Sequence, residues 1–217
     1  MLRVVFVLGV IFGLATVFAV AGFYPWVDHP RLASRAQVLP NGGRSETFVM
    51  RLPVDRIAAV GTDDMGLAAM PFPPELDLPP ALSSTPVHLD HFKVRDIDGN
   101  VVGVAARHAV GTPQGIVVAW SLIFPSRGAL WLSGGTTAAA LDSAVAARGF
   151  RPGEAWTGDV SVQLGSDEAA SGTVLGGSDE FSGLSGAYSE RWNLTGVGDA
   201  GELRGTIEIA TRMSFSR

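Results

Sequence analysis

Few residues in this chain have the type and spacing that chemistry needs. His88, Asp90 and His108 lie on two strand-like segments, 88–97 and 101–109, joined by the turn signal Asp98-Gly99-Asn100. A three-residue loop at 98–100 sets Phe92 opposite Ala106 and Asp90 opposite His108, with His88 two residues along the same face. A carboxylate orienting an imidazole is what general acid/base catalysis uses. The competing reading leaves these residues at a solvated rim or in one satisfied buried pair, and a one-residue change of register separates Asp90 from His108. Glu190 is the third candidate. It shares a strand face with Tyr188, Trp192 and Leu194. Facing inward, it is a carboxylate among aromatics with a raised pKa suited to proton transfer. Facing outward or at the rim, the alternative that Arg191 on the opposite face favours, it pairs with an arginine such as Arg204.

These positions define the expected site: Asp90, His108 and Glu190 as catalytic candidates, and His88, Phe92, Trp120, Tyr188 and Trp192 as ligand-lining residues. No metal site is expected, because His88 and His91 are three apart and point to opposite faces of a strand. There is no cysteine, which excludes thiolate ligands and disulfides. A nucleophile elbow, P-loop and strand-linked dinucleotide fingerprint are all absent, so no cofactor is expected.

The elements that must hold these residues read as β-structure. Segments 46–52, 88–97, 101–109, 116–124, 129–133, 158–164, 172–175, 187–195 and 202–210 carry period-two alternation or turn-bounded apolar runs. One Ala-rich helix is expected over 137–148, with Thr136 or Thr137 as N-cap and Gly149 as its stop. Residues 59–86 hold six prolines and read as an extended surface segment. Nine short strands at hairpin spacing and one helix suggest a closed barrel or sandwich. The 116–133 hairpin is apolar on both faces: Val117, Ala119 and Ile123 lie opposite the Ile116, Val118, Trp120, Leu122 and Phe124 set. Something must cover its outside: the Pro-rich segment, the helix or a second chain.

At 217 residues with net charge −5 and no basic cluster, the chain does not suit nucleic acid. Val4 to Ala21 is a run of eighteen uncharged residues, about 27 Å as a helix, enough to cross a bilayer core. It is expected to be either an uncleaved anchor, with Tyr24 and Trp26 at the interface, or a signal cleaved after Ala21 at Ala19-Val20-Ala21. Gly9 and Gly13 give a GxxxG spacing that arises often by chance in such helices. The expected organisation is anchor or signal 1–24, stalk 25–45 and barrel 46–217. Lys93 is the only lysine, and this Arg-rich, Lys-poor composition looks bacterial. That places the protein in a bacterial inner membrane with its domain in the periplasm, or secreted after cleavage. It also discounts the glycosylation sequon Asn193-Leu194-Thr195.

Three segments, FKVRDIDGNVVG at 92–103, WSLIFPSRGALWLSG at 120–134 and GTVLGGSDEFSGLSGAY at 172–188, stand in an order that resembles the allene oxide cyclase and dirigent-like β-barrels. The likeness covers about residues 87–210. It departs at Asp179, where the family pattern GGTGxF has Gly. The resemblance implies an antiparallel eight-stranded barrel around an apolar cavity, often oligomeric, and implies no particular activity.

The resulting expectation is a mainly β, membrane-anchored, exported barrel that binds a small apolar ligand or a membrane-complex partner, with the membrane held through residues 4–21. A homo-oligomer is a further expected partner state. The alternative is an isomerase or cyclase acting on a hydrophobic substrate in the barrel, and a third is a structural subunit.

Overall fold

The strands are turn-bounded, alternate inward and outward residues, and close on one another. The structure, a computed structural model, describes residues 36–39, 43–61, 87–112, 115–125, 127–136, 140–151, 154–164, 171–199 and 201–215, together with Phe12, Gly13 and Thr16. In chain order the elements are β1 (Gln37–Val38), β2 (Arg44–Leu52), β3 (Arg56–Gly61), β4 (Val87–Arg95), β5 (Val101–Thr112), β6 (Gly115–Phe124) and β7 (Gly128–Thr136). Then come α1 (Ala140–Ala146), β8 (Trp156–Leu164), β9 (Gly172–Gly177), a 3-10 turn (Asp179–Phe181), β10 (Leu184–Val197) and β11 (Leu203–Phe215).

All pairings are antiparallel, in the order β2-β11-β10-β9-β7-β6-β5-β4, and a Val49–Arg95 pairing joins β4 back to β2. The result is a closed eight-stranded barrel. Two of its staves are interrupted. β3 continues the line of β2 along the edge of β4, and β8 precedes β9 along the edge of β10. The barrel's first end carries the turns 96–100 and 125–127, the 3-10 turn, the start of β2 and the end of β11. At the second end lie the end of β3 and start of β4, the end of β5 and start of β6, the end of β7 and start of β8, and the end of β10 and start of β11.

Alternation decides what lies inside. Phe48, Met50, Phe92, Val94, Trp120, Leu122, Phe124, Leu130, Leu132, Leu194, Ile207 and Ile209 fill the interior with almost no exposure, so the core is packed as close-fitting apolar layers. The first end is plugged by an ion network. Arg127 donates to Glu46 at 2.9 and 3.0 Å and to Glu180 at 3.0 Å, while Arg44 donates to Glu180 at 3.0 Å. The Arg44 and Arg127 guanidinium groups lie over the Phe181 ring, 4.5 and 5.0 Å from its centroid.

Several boundaries differ from those expected. The Pro-rich reading of 59–86 starts too early: residues 56–61 form β3, and no proline falls there to remove a ladder donor. Residues 62–86 lie outside the described residues. The stalk contributes a short strand, β1, which pairs with Arg44 and Ser45. The helix is seen from Ala140, with Thr136 in β7 and 137–139 outside the described residues. Gly149 ends it as expected, at φ +89. Val145 of α1 is fully buried, and Leu141 packs with it against the core. The anchor or signal reading of residues 4–21 lies outside the described residues except at Phe12, Gly13 and Thr16, and among the described residues no helix is long and apolar enough to cross a membrane.

Candidate functional site

The register of the β4–β5 hairpin decides the site. Asp96 organises a loop longer than Asp98–Asn100. Its amide donates to the Asn100 carbonyl, its own carbonyl accepts from Gly99, and its carboxylate accepts from the Asn100 amide and side chain. A bulge between Val94 and Arg95 follows from this longer turn, and Gly99 supplies the required positive φ of +89. The pairing is therefore Asp90 with Arg107 and Phe92 with Ala105, one residue away from the expected register. His108 pairs with Leu89 and points outward, exposed. The expected Asp90–His108 pair does not form.

Arg107 takes that place inside. Asp90 is fully buried, and its two oxygens have unequal surroundings. Oδ1 accepts from Arg56 Nη2 and, at 2.9 Å, from Arg56 Nε; His88 Nε2 stands 3.4 Å away. Oδ2 has no hydrogen-bond donor, and Arg107 Nη1 stands 3.7 Å from it. Arg107 Nε is likewise buried without an acceptor, 3.5 Å from Glu190 Oε1 but not aligned for a hydrogen bond. Burial lowers the pKa of His88; Asp90 opposes this, and Arg107 and Arg56 add to it. Its imidazole is thus neutral near pH 7.

Glu190 faces inward, contrary to the outward or rim alternative. Its pairing with Arg204 does not occur; Arg204 contacts Glu202. Both Glu190 oxygens accept indole N–H bonds of 2.8 Å, Oε2 from Trp120 and Oε1 from Trp192. The two indoles also flank the Arg107 guanidinium, with centroids 5.9 and 5.4 Å away. At the start of β9, Ser171 holds the backbone beneath this carboxylate: its hydroxyl accepts from Glu190 N at 2.6 Å and its amide donates to the Tyr188 carbonyl at 2.8 Å.

Tyr188 occupies a gap in the wall. Gly134 and Gly172 are paired directly across β7 and β9, and a Cβ on either would strike first the facing backbone, the Ser171 or Ser133 carbonyl oxygen, and then the Tyr188 side chain. Burial, then the Glu190 carboxylate, pushes the Tyr188 phenol well above its usual range. Phe92 sits beside Trp120 at a centroid distance of 5.9 Å.

The interior of the barrel thus brings together His88, Asp90, Phe92, Trp120, Tyr188, Glu190 and Trp192 of the expected set, and leaves His108 outside. Arg56 and Arg107 were not foreseen. Arg107 alternates in phase with Ala105 and Ala109, a legible signal once the register is right; Arg56 lies just ahead of the segment read as extended. Among the described residues no three His, Asp or Glu side chains converge as metal ligands. Chemically, the cluster presents one buried acceptor oxygen, on Asp90, and one buried donor nitrogen, on an Arg107 that two indoles flank.

Fold and site together define a class: a closed eight-stranded antiparallel barrel with a charge-balanced polar cluster buried toward one end. No protein-family model matches the chain, and no curated protein matches it significantly.

Proposed function

We propose that this protein is a membrane-tethered barrel that binds a small, largely apolar molecule through one polar group. The observation that carries this reading is the pair of unmet atoms, Asp90 Oδ2 and Arg107 Nε, both buried, with the Arg107 guanidinium set between the Trp120 and Trp192 rings. Leaving a buried charged group short of a hydrogen bond costs about 1–3 kcal/mol or more, a cost that a bound polar group or an ordered water reaching the two atoms recovers. A hydroxyl, carboxylic acid or primary amide accepts from Arg107 Nε and donates to Asp90 Oδ2 at once. The aromatic faces suit the apolar remainder.

Tethering rests on the uncharged Val4–Ala21 run, and we assign the barrel to the exported, periplasmic side of that membrane. We also propose an allene oxide cyclase-like relationship, supported by the eight staves and by the Gly176–Phe181 connection. Asp179 there takes φ +51, the left-handed conformation that glycine supplies in the family pattern.

A second reading, an isomerase or cyclase, is favoured by the same free Asp90 Oδ2, an unengaged carboxylate oxygen that a proton-transfer step needs. Native mass spectrometry of the full chain, extracted from its membrane in mild detergent, separates these. A retained adduct recovered unchanged supports binding. An adduct that the protein interconverts with an isomer supports the enzyme, and a bare chain that takes up no long-chain alcohol or acid contradicts both.

A further inference from the structure

The outward residues of β5, β6, β7 and β9, four neighbouring strands, include no Asp, Glu, Lys or Arg. They are Val101, Val104, Ala106, His108 and Val110, then Val117, Ala119, Ser121 and Ile123, then Ala129, Trp131, Ser133 and Gly135, then Thr173 and Leu175. Elsewhere the exterior is charged: Lys93 on β4, Arg191 on β10, Glu208 and Arg212 on β11, Arg51 on β2 and Asp159 on β8. Toward the first end the uncharged face becomes apolar. Val101, Val104, Ile123, Trp131 and Leu175 are between 44% and 63% exposed. Val104 pairs directly with Ile123, and Trp131 lies beside Leu175 across the β7–β9 bulge. A contiguous apolar surface of this kind on a charged molecule marks a contact.

We infer that this face docks on a lipid bilayer surface. Three observations select lipid. At the β4 border Lys93 pairs directly with Val104 and presents its cation outward beside the apolar residues, which suits phosphate headgroups, especially anionic ones. Trp131 is an amphipathic ring of the kind that settles at headgroup level. The chain also carries its own uncharged Val4–Ala21 run, joined through residues 22–35, a link of at most ~50 Å when fully extended. A tethered domain meets the bilayer at high effective concentration, so a face of modest intrinsic affinity engages it. This inference rests on the tethering reading.

The chain has no cysteine, so single reporters can be placed without removing any. Full-length Val104→Cys and Ile123→Cys, with Glu208→Cys as the charged-face control, are spin-labelled in vesicles of phosphatidylcholine with phosphatidylglycerol. Flotation of the vesicles reads the tether, and collision of each label with oxygen and with a water-soluble nickel chelate reads the docking. Labels at 104 and 123 are expected to favour oxygen over nickel several-fold more than the label at 208, and more so than in phosphatidylcholine alone. Chain that floats while 104 and 123 remain as nickel-accessible as 208 overturns docking and leaves the tether intact. Labels at 104 and 123 shielded from both oxygen and nickel overturn it in favour of protein cover, from this chain or a second copy. Failure to float removes the tether and the inference with it.

Discussion

Glu190 shows how one residue sets local stability. Its two oxygens satisfy two buried indoles, Trp120 and Trp192, while facing Arg107. Glu190→Gln keeps the shape but turns one acceptor into an amide donor that faces an indole N–H, leaving that donor unmet. It is expected to destabilise the protein by about 1–3 kcal/mol, or a fall of roughly 2–4 °C in Tm per kcal/mol. Urea titration with tryptophan fluorescence measures this, and an unchanged midpoint would show that the indole bonds carry no stability. His88 sets a pH response. Its pKa is lowered in the fold because burial disfavours the charged ring, so below the unfolded value of 6.5 the unfolded chain binds a proton that the folded chain resists. That stability is fully present above 6.5 and is lost as pH falls toward the lowered folded value. His108 shifts the same way, for burial and for its neighbour His91, but it is exposed and contributes less. The lowered Asp55 and Glu180 act in a separate window, below their ordinary values of 3.8 and 4.5. Denaturation midpoints at about pH 7.5 and about pH 5 are expected to converge in His88→Gln and to stay apart in His108→Gln. Equal pH sensitivity in both variants would contradict this assignment.

Elements position these residues through a few non-repeating details, and those details explain what the sequence showed and what it hid. Nine of the strands, β2 and β4 to β11, and the helix are visible as alternation and turn signals, because each half-buried strand must repeat every two residues. The hairpin register is not visible that way. Asp96 caps the β4–β5 loop from its own side chain, and a single bulge then exchanges His108 for Arg107 inside the barrel. Inward Glu190 was undecidable from its strand alone, since Arg191 gives the opposite face a charge too; the indoles that receive it come from β6 and β10. Glu46 was legible as a carboxylate in phase with Phe48 and Met50, but its partner Arg127 lies in a turn far along the chain. Asp96→Ala is expected to remove the loop bonds at a cost of about 1–2 kcal/mol and to loosen this register, read as faster amide exchange at Asn100 and Val101. Unaltered protection there would place the register elsewhere. On the β7–β9 ladder, Gly172→Ala is expected to force the β7 backbone at Ser133 and Gly134 away from β9 and to displace the Tyr188 ring, at a cost of about 1–3 kcal/mol from overpacking. An unchanged tyrosine near-ultraviolet circular dichroism signal would mean the gap tolerates a methyl group.

At the scale of the whole molecule, the barrel divides its labour along its axis and around its wall. The first end is plugged by Arg44, Glu46, Arg127 and Glu180 against Phe181, the middle is a packed apolar core, and the polar cluster lies toward the second end. Around the wall, one side is charged and the other, over β5, β6, β7 and β9, is not. On the proposed reading, the interior polar cluster and the uncharged outer face serve a carrier or enzyme of apolar molecules on two separate surfaces. The central claim is that Asp90 and Arg107 receive a polar group of a bound apolar molecule. The most direct measurement is native mass spectrometry of the full chain from its own membrane, comparing wild type with Asp90→Asn, Arg107→Gln and the outward control His108→Gln. An adduct present in wild type and His108→Gln but reduced at least tenfold in Asp90→Asn and Arg107→Gln, with all four chains folded by circular dichroism, is the predicted result. An adduct held equally by all four, or by none, would contradict it.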